Sequence, residues 1–162
     1  MIRSLKALNI LNQNLNKKIQ LICTGSKKGA YEYLTRLRKE LGCQNEIRFL
    51  GYVPTQHMPA LYRNACALVF PSLFEGFGLP VVESMACGCP VITSNVSCLP
   101  ETAGDAAILC SPEDYNELGT QINNVVENES LRNELIHKGK ERAQLFHPEY
   151  FSKKMISLYA EL

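Results

Sequence analysis

Between positions 71 and 88 the chain reads Pro-Ser-Leu-Phe-Glu-Gly-Phe-Gly-Leu-Pro-Val-Val-Glu-Ser-Met-Ala-Cys-Gly, so two carboxylates, Glu75 and Glu83, stand eight positions apart around a glycine-bearing turn. Gly76 and Gly78 let the backbone bend and let a ligand come close to it. Pro80 suits the first position of a helix, because the N–H it lacks would have had no helical acceptor. The free N–H groups of the loop and first turn then face the C-terminal edge of the preceding strand, an anion site made of main-chain donors and helix dipole. Open α/β sheets bind their ligands at that edge. Glu83 falls near the fourth position of this helix, among Val81, Val82, Met85 and Ala86. An unpaired carboxylate in such a setting is strongly disfavoured or takes up a proton, whereas a partner with hydroxyl donors, such as a ribose diol, satisfies it. Glu75, at the rim, is placed to accept from a sugar hydroxyl or to face a developing positive centre. The residues alone leave a second reading open, in which Glu83 caps a backbone group and Glu75 is solvated.

Alternating elements have to position this loop. Ile2, Leu5, Leu8 and Leu15 recur at helical spacing, and Ile19–Cys23 is an apolar strand closed by Thr24-Gly25-Ser26. Tyr31, Leu34, Leu37 and Leu41 share a helical face that Gly42 ends; Ile47–Leu50 is a strand, and Met58, Leu61, Tyr62 and Ala65 mark a further helix. Strands are predicted at 67–70, 91–93 and 106–109, with a helix over Pro80–Ala86. Ser111-Pro112 and Ser130 carry the capping signals of two more helices, and Pro148 opens a last one striped by Phe151, Met155, Leu158 and Tyr159. Five apolar strands separated by helices or loops predict a Rossmann-like three-layer α/β domain with a mostly parallel sheet.

Composition narrows the function. At 162 residues the chain is one domain, and Lys plus Arg (17) nearly balances Asp plus Glu (16). A net charge of +1 gives no electrostatic reason to bind nucleic acid or an anionic membrane. No apolar run approaches the ~20 residues of a membrane span. Met1–Lys6 has no apolar h-region behind it, so a cytoplasmic location is expected. The seven cysteines are odd in number and several sit in apolar runs, as buried free thiols do. Cys87-Gly88-Cys89 lacks the zinc or redox spacing, and His57, His137 and His147 are scattered, so no metal or disulfide is expected. Thr24-Gly25-Ser26-Lys27-Lys28-Gly29 lacks the dinucleotide-binding spacing, which disfavours a dehydrogenase.

Residues 71–91 resemble the signature of the group 1 retaining glycosyltransferases of the GT-B fold, whose two glutamates have seven residues between them, as Glu75 and Glu83 do. Phe49-Leu50-Gly51-Tyr52-Val53 resembles the strand and loop ahead of that signature. Ala86–Ile92 and Leu99-Pro100-Glu101 resemble the segments on its C-terminal side. Nearly the whole chain resembles the C-terminal, nucleotide-sugar-binding half of such enzymes. The resemblance implies that Glu83 receives the ribose hydroxyls of a UDP- or GDP-hexose. It also implies that Glu75, Ser72 and the backbone of Gly76, Phe77, Gly78 and Leu79 hold the sugar and diphosphate. Tyr52 and Val53 would lie beside the base, and Gly25 and Ser26 would border the phosphate cleft with Lys27 or Lys28 near. It implies no metal cofactor, with Glu75 orienting and stabilising rather than attacking. Transfer of a hexose with retention, mannosyltransferase-like and in polysaccharide biosynthesis, is the implied activity; a nucleotide-sugar-binding module without turnover is the alternative.

Residues 1–162 would be a single C-terminal domain, lacking its first strand, with its Arg and Lys, and the N-terminal Rossmann-like acceptor domain or partner subunit. Any peripheral membrane association would come through that absent half. The stripe of the last helix, left without its usual surface, is expected to pack on its own domain or to make a homodimer contact.

Overall fold

The computed structural model describes residues 1–14, 18–26 and 28–161; Leu15 and Lys27, both named above, lie outside them. Helix α1 (Ile2–Asn14) leads to β1 (Leu21–Thr24), α2 (Tyr31–Glu40) and β2 (Ile47–Gly51). A 3₁₀ turn at Thr55–His57 opens α3 (Met58–Asn64), followed by β3 (Leu68–Phe70), α4 (Leu79–Ala86), β4 (Val91–Ser94), α5 (Leu99–Ala103) and β5 (Ile108–Cys110). Then come α6 (Tyr115–Glu127), α7 (Glu129–Gln144) and α8 (Pro148–Ala160).

All the strand pairings among the described residues are parallel, so the α/β class read from the sequence stands. The strands form two sheets, β1-β2 and β3-β4-β5, where one was expected. Strand β4 is the middle of the larger sheet and every residue of it is buried. Successive side chains leave a strand on opposite faces. Ile92 accordingly packs among Ala7 and Leu11 of α1, Leu118 and Ile122 of α6, and Leu135 of α7. Its neighbour Val91 packs with Val81 and Met85 of α4 and Leu99 and Ala103 of α5. The sheet is covered on both sides, as an uninterrupted apolar strand requires. Helix α1 spans both sheets, for Leu5 and Leu8 sit over Cys23 and Ile47 of the smaller one. Each Leu buried in this way stabilises by about 1.5–3 kcal/mol, so α1 ties the sheets together. It lies tight against α6 because Gly119 has no Cβ; one built there would stand 3.4 Å from the Ala7 carbonyl oxygen.

Several element boundaries differ from the sequence reading, each for a local reason. Strand β1 starts at Leu21 and not at Ile19, because buried Asn12 holds both polar groups of Ile19: its Oδ1 accepts from the Ile19 N–H and its Nδ2 donates to the Ile19 carbonyl, each over 2.9 Å. Strand β5 starts late because the Ala106 N–H is turned back to the Ala103 carbonyl. Helix α6 is capped by Asp114 and not by Ser111: Asp114 Oδ1 accepts from the N–H groups of Asn116 and Glu117. Asn128, not Ser130, caps α7 by accepting from the Leu131 N–H. Helix α5, unread in the sequence, has a proline in its first turn, Glu101 there too, and three buried residues.

Helix α8 begins at Pro148 as expected, capped by His147. It buries no side chain: Phe151, Ile156, Leu158 and Tyr159 are each more than half exposed. Packing of this stripe on its own domain, one of the two expectations, is therefore not what the fold does. No helix among the described residues is long and apolar enough to cross a membrane.

Candidate functional site

The chain leaves β3 at Phe70 and reaches α4 through the loop 71–78. Gly78, which caps α4, has φ +86, and a Cβ there would come within 2.7 Å of Leu99 Cδ2. Glycine is required at this position by backbone and space alike. The chain bends at Gly76 as expected, but without a left-handed φ, and a Cβ on it would meet nothing within 4 Å. What its missing side chain leaves is open access to the loop.

Residues of the loop after β4, the strand paired with β3, and of α5 hold the loop. Ser97 Oγ donates to the Glu75 carbonyl (2.9 Å) and accepts from the Glu75 N–H (3.3 Å), and Cys98 Sγ donates to the same carbonyl (3.1 Å). Thr102 Oγ1 donates to the Phe77 carbonyl over 2.6 Å. The Phe77 ring meets the edge of Phe146 at 5.3 Å, and Arg142 lies over Phe146 while its Nε donates to the Thr102 carbonyl. In a trans peptide the N–H points opposite to the C=O. Tying the carbonyls of Glu75 and Phe77 to α5 and the residues just before it therefore aims the N–H groups of Gly76 and Gly78 away from them. The N–H groups of Gly76, Phe77, Gly78 and Leu79 donate to no acceptor among the described residues.

The two carboxylates have exchanged the environments expected of them. Glu75 is the half-buried one, its Oε1 accepting from Ser72 Oγ at 2.9 Å. Glu83 is exposed, because Val81, Ser84 and Met85 form the buried face of α4 and Glu83 lies off it. It does not cap a backbone group; its Oε2 accepts from the phenol of Tyr62 on α3 at 3.1 Å. Tyr62 is buried, and that burial, with the neighbouring carboxylate second, pushes its phenol well above the ordinary tyrosine range. The phenol therefore stays a donor at any physiological pH.

The remaining residues gather at the ends of β1 and β2. The Gly25 N–H donates to the Gly51 carbonyl at 2.9 Å, which joins the two strand ends. Ser26 is exposed, Tyr52 is 77% exposed and Val53 half-buried. A cavity of about 230 Å³ lies there, lined by Thr24, Gly25, Ser26, Lys28, Tyr31 and Phe49 among others, and by no residue of 71–83. The fold thus joins Ser72 to Glu75 in the loop that runs through Gly76 and Phe77 into α4, puts Glu83 further along that helix beside Tyr62, and leaves Gly25, Ser26, Tyr52 and Val53 at the ends of β1 and β2. Sequence reasoning missed Tyr62, Ser97, Cys98, Thr102 and Arg142. The hydroxyl of a tyrosine within an apolar stripe was the available signal for Tyr62; for the others there was no local pattern. No group of three or more His, Cys, Asp or Glu among the described residues is placed to hold a metal ion.

The sequence model of the family described as glycosyl transferases group 1 matches residues 2–142. The O-antigen chain mannosyltransferase B of Escherichia coli is 35% identical over 155 residues, which is 96% of this chain. This chain belongs to the group 1 glycosyltransferases. Among solved structures it is similar to the sucrose-phosphate synthase from Thermosynechococcus elongatus, with a TM-score of 0.85, 28% identity, and cover of 99% of this chain and 41% of that one. It is similar in fold to Anabaena Alr3699/HepE, solved in complex with UDP and glucose, with a TM-score of 0.86 at 21% identity over 99% of this chain and 44% of that one. The domain is thus a GT-B glycosyltransferase C-terminal domain in fold. This group 1 glycosyltransferase chain spans 41% of the length of the Escherichia coli relative.

Proposed function

We propose that this chain is the donor-binding half of a cytoplasmic, retaining glycosyltransferase that moves a hexose from a nucleotide-diphosphate sugar to an acceptor in polysaccharide biosynthesis. One observation carries the reading: four adjacent main-chain N–H groups, at Gly76 to Leu79, have no acceptor among the described residues and lie in the sequence between Glu75 and Glu83. Preorganised amides of this kind stabilise the charge that develops on a leaving diphosphate, and do so without a metal. Glu83 accepts from the ribose hydroxyls. Glu75, held by Ser72, orients the transferred sugar and stabilises positive charge at its anomeric carbon. Tyr52 and Val53 flank the base, and Gly25 and Ser26 border the phosphates. The mannosyltransferase relative makes a GDP-linked mannose the first donor to try, with UDP-glucose second. An N-terminal Rossmann-like half, in the same polypeptide or as a partner subunit, supplies the acceptor site and covers the apolar face of α8. A second copy of the chain is the other occupant that face admits.

Calorimetric titration with GDP-mannose and UDP-glucose, with and without EDTA, tests the binding. Glu83→Gln is expected to weaken the bound donor by about 1–3 kcal/mol, the worth of charge-assisted hydrogen bonds; unchanged affinity removes the ribose role. Incubation with labelled donor is expected to give no transfer from this chain alone, and robust turnover would overturn the assignment to a half-enzyme.

A further inference from the structure

We propose that Tyr62 is a positioning residue for the donor: its buried phenol fixes the Glu83 carboxylate so that the second oxygen, Oε1, faces the ribose hydroxyls. The inference rests on the assignment of Glu83 to the ribose and deepens it.

The geometry is specific. Glu83 is an exposed side chain with three rotatable bonds, and left to itself it samples many rotamers. Tyr62 is 7% exposed and fixed in the fold, and its hydroxyl reaches Glu83 Oε2 at 3.1 Å across 21 residues of sequence. No other hydrogen bond is made by this hydroxyl among the described residues. A phenol is both donor and acceptor, but toward a carboxylate it only donates. It therefore occupies Oε2 and leaves Oε1 to accept from a diol, while removing rotational freedom that the ligand would otherwise have to remove on binding. Because Glu83 stays in contact with water, loss of the phenol does not strand a buried charge. The bond contributes to ligand affinity more than to the fold.

The test measures affinity by calorimetry for UDP, GDP and their 2′,3′-dideoxy counterparts, using the full chain and the variants Tyr62→Phe, Glu83→Gln and the two combined. For whichever ribonucleotide binds, Tyr62→Phe is expected to weaken it about 5- to 10-fold, within the range of one hydrogen bond to a charged group. The same change is expected to leave the dideoxy ligand unaffected and to add nothing once Glu83 is Gln. A Tyr62→Phe loss of equal size for the dideoxy ligand, or no loss where Glu83→Gln weakens binding, overturns the positioning role. If Glu83→Gln leaves ribonucleotide affinity unchanged, or nothing binds, the ribose assignment itself fails and this inference with it. Thermal denaturation reports whether Tyr62→Phe folds. Independently of that variant, 3-fluorotyrosine placed at position 62 alone keeps the ring in place. Its fluorine resonance is expected to move with the ribonucleotide and not with the dideoxy ligand, and an equal response to both overturns the proposal.

Discussion

Ser97 and Glu75 are bonded in both directions, the serine hydroxyl donating to the Glu75 carbonyl while accepting from the Glu75 N–H. Ser97 has φ +60, alone in this among the described non-glycine residues. A left-handed conformation opposes folding by about 1–2 kcal/mol for a residue with a Cβ. The paired bonds, with Cys98 beside them, are what holds the residue there. The loop after β4 thus clamps the loop after β3, and the clamp sets the direction of the amides at Gly76 and Gly78.

Ser97→Ala keeps the backbone strain and removes both bonds. The expected result is a loss of about 1–2 kcal/mol in unfolding free energy, from two bonds of ordinary worth, together with weaker donor binding. Urea denaturation and calorimetry measure the two effects.

The two loop glycines should separate cleanly. Gly78→Ala forces a Cβ to 2.7 Å from Leu99 at a left-handed φ, so it is expected to destabilise by more than about 2 kcal/mol. Gly76→Ala places its methyl in open space and is expected to leave stability within about 0.5 kcal/mol. It should nevertheless weaken the nucleotide sugar, because the methyl takes up open space beside the loop that the ligand is proposed to fill. Equal stability losses at both positions would contradict this account.

Thr102→Val keeps shape and removes the hydroxyl from the Phe77 carbonyl. Thr102 is only 3% exposed, and an inward carbonyl left without its donor is expected to lower stability by about 1–3 kcal/mol. Thr102→Ser, which keeps the hydroxyl, should recover most of the donor affinity in the same titration.

Burial raises the thiols of Cys23 and Cys110 to about 11, from an ordinary 9. Above pH 9 the unfolded chain gives up these protons while the folded chain retains them, so the unfolded state binds fewer. Stability is therefore expected to be fully present below pH 9 and to fall as pH rises through about 11. Denaturant midpoints at pH 8, 9.5 and 10.5 check the sign. At pH 8 exposed Cys66 is expected to be alkylated in the native protein, with Cys23, Cys89 and Cys110 reacting only on unfolding.

Phe151→Ser with Ile156→Ser is expected to leave unfolding free energy unchanged within about 0.5 kcal/mol, since α8 buries none of its side chains. Sedimentation of the same variant reads out the face's occupant. A coefficient below that of the unaltered chain assigns a second copy to it.

Periodicity and turn residues were enough to mark most of these elements, because each apolar stripe is a local property of ten or so residues. Gly78 and Pro80 alone announced where α4 begins, and the motif from Glu75 to Glu83 marked which loop matters. The caps at Asp114 and Asn128 escaped because several polar residues competed at each helix start, and only the packed helix axis chose among them. Partners distant in sequence were decided by the tertiary structure: Tyr62 with Glu83, Ser97 with Glu75, Thr102 with Phe77, each pair 21 to 25 residues apart. It also decided which glutamate faces water. That choice depends on how α4 is rotated by burying Val81, Ser84 and Met85, and helix rotation is fixed by the shape of the whole core rather than by the residues around the carboxylate.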